Sequence, residues 1–218
     1  MSIRTVFDDE LSLLNTELIK MGALCERAVR SALNVYFLNK KDDAATADKL
    51  EKEIDSKERD IEDLCMKLII RQQPVAGDLR LISSAIKMIS DMERIGDQAQ
   101  DIADIAVNIN SEEVSSHIHI KNMSETALRM VSKSVDAFVK KDVAIAEEVI
   151  KTDDIVDEGF DKIKEELIAA VREDNKKSEE YIDILMIAKY IERIGDHAVN
   201  IAEWVEYSVT GTHRKGDI

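Results

Sequence analysis

Glu93-Arg94-Ile95-Gly96-Asp97 and Glu192-Arg193-Ile194-Gly195-Asp196 are one five-residue word written twice, 99 positions apart. Each copy sets a glutamate and an aspartate four residues apart, and on an α-helix such residues share a face. Asp101 and Asp104 continue the first stripe, Asn200 and Glu203 the second. On a wheel of about 100° per residue, Glu93, Asp97, Asp101 and Asp104 fall within about 80° of arc. Like charges stacked this way repel by about a few tenths of a kcal/mol per pair. Arg94 is the sole cation between Glu93 and Asp104, so no lysine offsets them. The plain reading is the solvated face of an amphipathic helix. The chemical reading is a site for a cation, since carboxylate oxygens are what hard cations take as ligands.

A looser form of the pattern precedes each word: Glu51-x-x-x-Asp55 and Asp153-x-x-x-Asp157. Both pairs stand one residue round from core-facing positions (Leu50 and Ile54; Thr152 and Val156), at the flank where neighbouring helices of a bundle meet. A pair on one helix facing a pair on the next offers four oxygen donors. That set suits Mg²⁺, Mn²⁺ or Fe, with more than one ion per site, ahead of Zn²⁺, which would want histidine or cysteine nearby. Gly96 and Gly195 lie inside the words, where glycine costs about 1 kcal/mol relative to alanine. They predict close approach of another backbone.

The elements that hold these residues are long helices. Thr5, with Asp8 and Asp9 behind it, resembles a capping box opening a first helix to about Asn39. Lys40-Lys41-Asp42 is a tight reversal into a second helix with Leu50, Ile54, Ile61, Leu64 and Leu68 at helical spacing. It ends before Gln72-Gln73-Pro74, because the residue before proline disfavours α geometry. The third helix covers about Val75 to Asn108, with Met92, Ile95, Ala99, Ile102 and Ala106 facing the core. Lys140-Lys141-Asp142 repeats the reversal, and Ala99, Ile102 and Ala103 return as Ala198, Ile201 and Ala202, so the duplication runs past the word. The second half reads as helices over about Ile118–Lys140, Val143–Arg172 and Glu179–Tyr207. The expected fold is all-α: two tandem three-helix bundles about a pseudo-two-fold axis, residues 1–110 and 115–210, joined through Asn110–Ser116 and ending in a tail, 211–218.

Composition agrees. Apolar residues make up 44%, charged residues 34%, and one proline with seven glycines is too few turn formers for an all-β chain. A net charge of −15 argues against nucleic acid as a partner. No run of about 18 apolar residues occurs and the start has no apolar leader, so a cytoplasmic protein is expected. Cys25 and Cys65 read as buried small hydrophobes.

Gln72-Gln73-Pro74-Val75-Ala76-Gly77-Asp78-Leu79-Arg80 followed by Asp91-Met92-Glu93-Arg94-Ile95-Gly96-Asp97 resembles the signature of the PhoU family of phosphate-homeostasis regulators. Tyr190 to Glu203 is similar to its second-repeat form. The resemblance covers essentially the whole chain. It implies multinuclear metal clusters held by Glu51/Asp55, Glu93/Asp97, Asp153/Asp157 and Glu192/Asp196, to which the helical stripe adds Asp101 and Asn200. It implies a homodimer that couples the phosphate ABC transporter, through its nucleotide-binding subunit, to a membrane sensor histidine kinase, restraining both when phosphate is plentiful. Contact with the membrane then runs only through protein partners. Asp78-Leu79-Arg80 falls opposite Lys177-Ser178-Glu179 in the second repeat, so its contacts are not duplicated. Asp78, Arg80 and Arg94 have no evident core role and are the expected docking residues.

Two rivals stand beside this reading. A di-iron carboxylate enzyme on a helical bundle would carry Glu-x-x-His pairs, yet Val114, Ser116, Ile194 and Thr210 precede the four histidines by three. His197 could be a peripheral ligand or a hydrogen-bonded residue. A passive scaffold would use its acids only for solubility, which leaves the duplicated words unexplained.

Overall fold

The chain is described by a computed structural model over residues 3–72, 74–109 and 117–213, with the side chains of residues 3–6, 71, 72, 117 and 118 also left out. The first helix already contains Thr5, so it does not open there, and the second runs through Gln72 rather than stopping before it. Gln73, the linker Asn110–Ser116 and the tail past residue 213 lie outside the described residues. Six long helices carry the rest: α1 (Ile3–Leu38), α2 (Asp42–Gln72), α3 (Ala76–Ala106), α4 (His117–Lys140), α5 (Val143–Glu173) and α6 (Ser178–Thr210). A 3₁₀ turn, Asn175–Lys177, separates α5 from α6. At 31 residues, α2 and α3 are each about 45 Å long.

The helix ends follow local chemistry. Val75, just after Pro74, is extended (φ −72°, ψ 168°) and α3 starts behind it. Asp142 caps α5, accepting from the amides of Ala144 and Ile145. Its twin in sequence, Asp42, is already the first helical residue of α2. The left-handed residue is Asn39 (φ 50°) in the first reversal and Lys141 (φ 54°) in the second. Identical Lys-Lys-Asp letters thus fold into two different turns. Helix α6 runs past Tyr207 to Thr210 and stops at Gly211 (φ 77°), whose N–H donates to Tyr207 O at 2.8 Å.

Within each repeat the three helices pack on one another, and the repeats join through α3 against α6 and, more thinly, α1 against α4. Among the described residues α2 and α5 touch helices of their own repeat only. The apolar residues of both halves, from Phe7 to Val205, form one continuous cluster. Met92, Ile95, Ala99, Ile102 and Ala106 are all buried, as their spacing predicts, and so are Leu50, Ile54 and Val156. Thr152 is not: it sits partly exposed with its hydroxyl donating to Glu148 O, because the chain can satisfy it locally one turn back. Burial pushes the thiols of Cys25 and Cys65 up to about 12, so both are inert packing residues.

Candidate metal centres

The α2–α3 contact brings the first set of acids together. Oxygens of Glu51 and Asp55 on α2 and Asp97 on α3 lie within 4.8 Å of one another, the one such trio among the described residues. Ile54 and Ile95 pack into the core between these positions and so turn the carboxylates to the helix flank. Glu93 stands one turn before Asp97. Burial, together with Asp97, Glu58 and Asp55, pushes its carboxyl up to about 7. Burial, then Asp55 and Asp97, raises Glu51, and burial, then Asp55 and Asp101, raises Asp97. Arg59 reaches Asp55 at 3.8 Å from a mostly exposed position, and Arg94 lies alongside, exposed.

The α5–α6 contact brings Asp153, Asp157, Glu192 and Asp196 within electrostatic reach of one another, without an oxygen trio as close as the first. Asp153 is pushed up to about 7 by burial and by Asp157, Asp196 and Glu192. Its Oδ1 is buried without a hydrogen-bond partner. A buried carboxylate oxygen without a partner, on a group crowded by three more carboxylates, costs free energy that a bound cation would offset. The donor chemistry of both clusters fits a hard or borderline metal ion: all-oxygen, anionic and drawn from two helices.

The two glycines lie against the neighbouring helix of their own repeat. The atoms nearest to them belong to side chains of that helix, Ile54 on α2 and Asp153 and Val156 on α5. A Cβ on Gly96 would lie 3.0 Å from Ile54 Cδ1, and one on Gly195 would lie 3.0 Å from Asp153 Oδ1 and 3.4 Å from Val156 Cγ1. In the second repeat the missing Cβ therefore makes room for a candidate ligand itself.

Asp101 and Asn200 make their hydrogen bonds in the seam between repeats rather than in the clusters. Asn200 Nδ2 donates to Asp91 Oδ1 at 3.1 Å, and His197 Nδ1 lies 2.9 Å from the same oxygen. Asp101 accepts from the hydroxyl of Tyr190. The helical stripe of four drifts round the wheel, so its later members turn from α2 and α5 toward the opposing repeat. Arg80, expected on a docking surface, is partly buried. Its guanidinium packs on the end of α6, where a Cβ on Gly211 would be 3.5 Å from Arg80 Cζ, and its Nε is buried. Asp78 is partly buried in the first turn of α3.

Sequence reasoning passes over Glu58, Lys189 and Asp91. Glu58 follows Asp55 by three, and Lys189 precedes Glu192 by three, so helical spacing could have found both. Asp91 opens the quoted signature, but spacing does not reveal its role, because its partners lie more than a hundred residues away.

A family model of the PhoU domain matches the chain twice, over residues 18–106 and 120–205. The chain is similar to the phosphate-specific transport system accessory protein PhoU homolog of Clostridium acetobutylicum, at 35% identity over 95% of this chain and 96% of that protein. The homolog from Pseudomonas aeruginosa is 34% identical over 94% of this chain and 86% of its own length. The crystal structure of PhoU from Pseudomonas aeruginosa matches with a TM-score of 0.90 at 34% identity, covering 94% of this chain and all of that one (100%). PhoU from Streptococcus pneumoniae shares the fold, with a TM-score of 0.88 at 24% identity over 97% of this chain and 100% of that one. With the domain matched in both repeats and relatives aligned almost end to end, the chain belongs to the PhoU family.

Proposed function

We propose that this chain is a metal-binding regulator of phosphate transport that acts by binding rather than by catalysis. The observation that carries the reading is the convergence of Glu51, Asp55 and Asp97 from two helices, in a chain whose relatives are named phosphate transport accessory proteins. Glu51, Asp55, Glu93 and Asp97 would hold metal in the first repeat, and Asp153, Asp157, Glu192 and Asp196 in the second. A bound cation supplies positive charge that cancels the repulsion within each cluster. The carboxylates fix α2 to α3 and α5 to α6 when so bridged, and hold rigid the surface that the helices present. Fe, Mn and Mg suit these oxygen sets better than Zn.

The reading extends to a homodimer in the cytoplasm that contacts the nucleotide-binding subunit of a phosphate ABC transporter and a sensor histidine kinase, and represses uptake and starvation signalling. Among the described residues no helix is long and apolar enough to cross a membrane, which supports recruitment through proteins. Arg94, exposed beside the first cluster, Asp78, and Arg80, whose guanidinium packs on the end of α6, are the proposed contacts.

The test pairs metal analysis with repression. A strain lacking the protein and carrying Asp97→Ala should lose metal from the first cluster and express phosphate-starvation genes in high phosphate. Arg94→Ala should lose repression with metal content intact. Normal repression and full metal content in Asp97→Ala would overturn the reading. Hydrolysis or oxidation that Glu93→Gln abolishes would replace it with an enzyme.

A further inference from the structure

The two clusters match in position but differ in what touches their carboxylates. With Asp153 set on Glu51 and Glu192 on Glu93, Phe160 falls on Glu58 and Lys189 on Ser90. In the first repeat Ser90 Oγ donates to Glu58 Oε1 at 3.1 Å, holding a fifth carboxylate at the edge of the cluster. In the second, Lys189 Nζ donates to Glu192 Oε2 and stands 5.4 Å from the centre of the Phe160 ring. The exchange is correlated: a serine–glutamate pair gives way to a lysine–phenylalanine pair, with an ammonium between a carboxylate and a ring face. At these positions five carboxylates stand against four and one ammonium in direct contact with a carboxylate, while farther out Lys52 and Arg94 act on the first cluster and Asp154 and Asp161 on the second. Arg59 does not level the difference, since its contact with Asp55 is long and 69% of its side chain is exposed. The lysine-free cluster is also the one in which three oxygens, of Glu51, Asp55 and Asp97, lie within 4.8 Å of one another.

We infer, resting on the metal-binding function proposed for both clusters, that Lys189 is a built-in cation of the second. A divalent metal then fills the first cluster at lower concentration and enters the second only by displacing the Lys189 ammonium. A lysine suits this role: its charge is compact and its four-carbon stem is free to swing out to water. The buried, unpartnered Asp153 Oδ1 is the oxygen the ammonium leaves unserved.

The experiment is a Mn²⁺ titration of the metal-stripped full chain, with free Mn²⁺ read by electron paramagnetic resonance and the fold checked by circular dichroism. Wild type should show a tight and a weak class of sites. Asp97→Asn should remove the tight class and Asp196→Asn the weak one. Lys189→Ser should tighten the weak class by about tenfold or more, since one unit charge is withdrawn at short range, and leave the tight class unmoved. Lys189→Arg should keep it weak. Lys189→Met, which retains the stem against Phe160, should match the serine variant even if serine loosens the packing. Two classes in wild type with neither Lys189→Ser nor Lys189→Met moving the weak one, or loss of the tight class in Asp196→Asn, would overturn the inference and leave the metal reading standing. No saturable Mn²⁺ binding by wild type would overturn both.

Discussion

A carboxylate on a helix flank can be solvated or can be held, and the neighbour that holds it decides. Gly195 leaves the space in which Asp153 Oδ1 sits, whereas Gly96 leaves space for the tip of Ile54. Gly195→Ala should therefore displace Asp153 and lower metal occupancy of the second cluster. Gly96→Ala should leave metal unchanged and stay within about 1 kcal/mol of wild type in stability, as the gain in helix propensity meets the shift of a flexible side chain. Metal content and urea unfolding of the two variants separate these outcomes. Protonation adds a second prediction. Glu93, ordinarily near 4.5, and Asp153, ordinarily near 3.8, are both pushed up to about 7. A carboxyl raised in the folded state favours folding most where it is protonated in both states, and that contribution is lost as pH rises from its unfolded value through its folded one. The metal-free protein should then have a higher Tm at pH 6 than at pH 8. The gap should narrow in Glu93→Gln/Asp153→Asn, and Mn²⁺ should restore Tm at pH 8. A metal-free Tm flat between pH 6 and pH 8 would count against the raised carboxyls.

At the scale of elements, α3 and α6 form the seam of the molecule. Asp91 with Asn200, Asp101 with Tyr190, and Arg80 with Gly211 fall in a single antiparallel register that sets Gly96 level with Gly195. The first two pairs are the same contact seen from either repeat. Asp91→Ala should leave His197, only 8% exposed, and Asn200 without their acceptor, and cost about 1–3 kcal/mol. Metal content at saturating metal should hold, since Asp91 belongs to neither cluster. Arg80→Ala should also destabilise, by about 1 kcal/mol, because a long side chain packed on a helix end loses contacts as well as charge. The sequence alone suggests that this change would spare the fold. Chemical denaturation of both variants decides; an unchanged midpoint in Asp91→Ala would mean that the seam carries little of the stability.

The whole molecule has one core rather than two, with α3 of one repeat packed on α6 of the other. Separating the repeats would expose apolar faces that neither can cover alone. Unfolding should therefore be a single cooperative transition. The sole tryptophan, Trp204, reports on α6, while far-ultraviolet circular dichroism reports on all the helices. Their urea midpoints should coincide in wild type and move together in Asp91→Ala. Fluorescence and dichroism midpoints that separate would show two independent units instead.

Local sequence determined the helices, their order and the acidic stripes, because helical period, capping and proline each act over a few residues. It placed Glu51, Asp55, Glu93 and Asp97 at one flank, and Met92, Ile95 and Ala99 in the core, since angle around a helix is fixed by spacing. Tertiary structure decided which members of a stripe meet. Asp101 and Asn200 share the stripe of Asp97 and Asp196 but reach the opposite repeat, because α3 and α6 each have a neighbour on both sides. It also decided that Gly195 admits a carboxylate and that Arg80 packs on the end of α6. These outcomes depend on the distance and rotation between helices, which the packing of one shared core sets and no local pattern encodes.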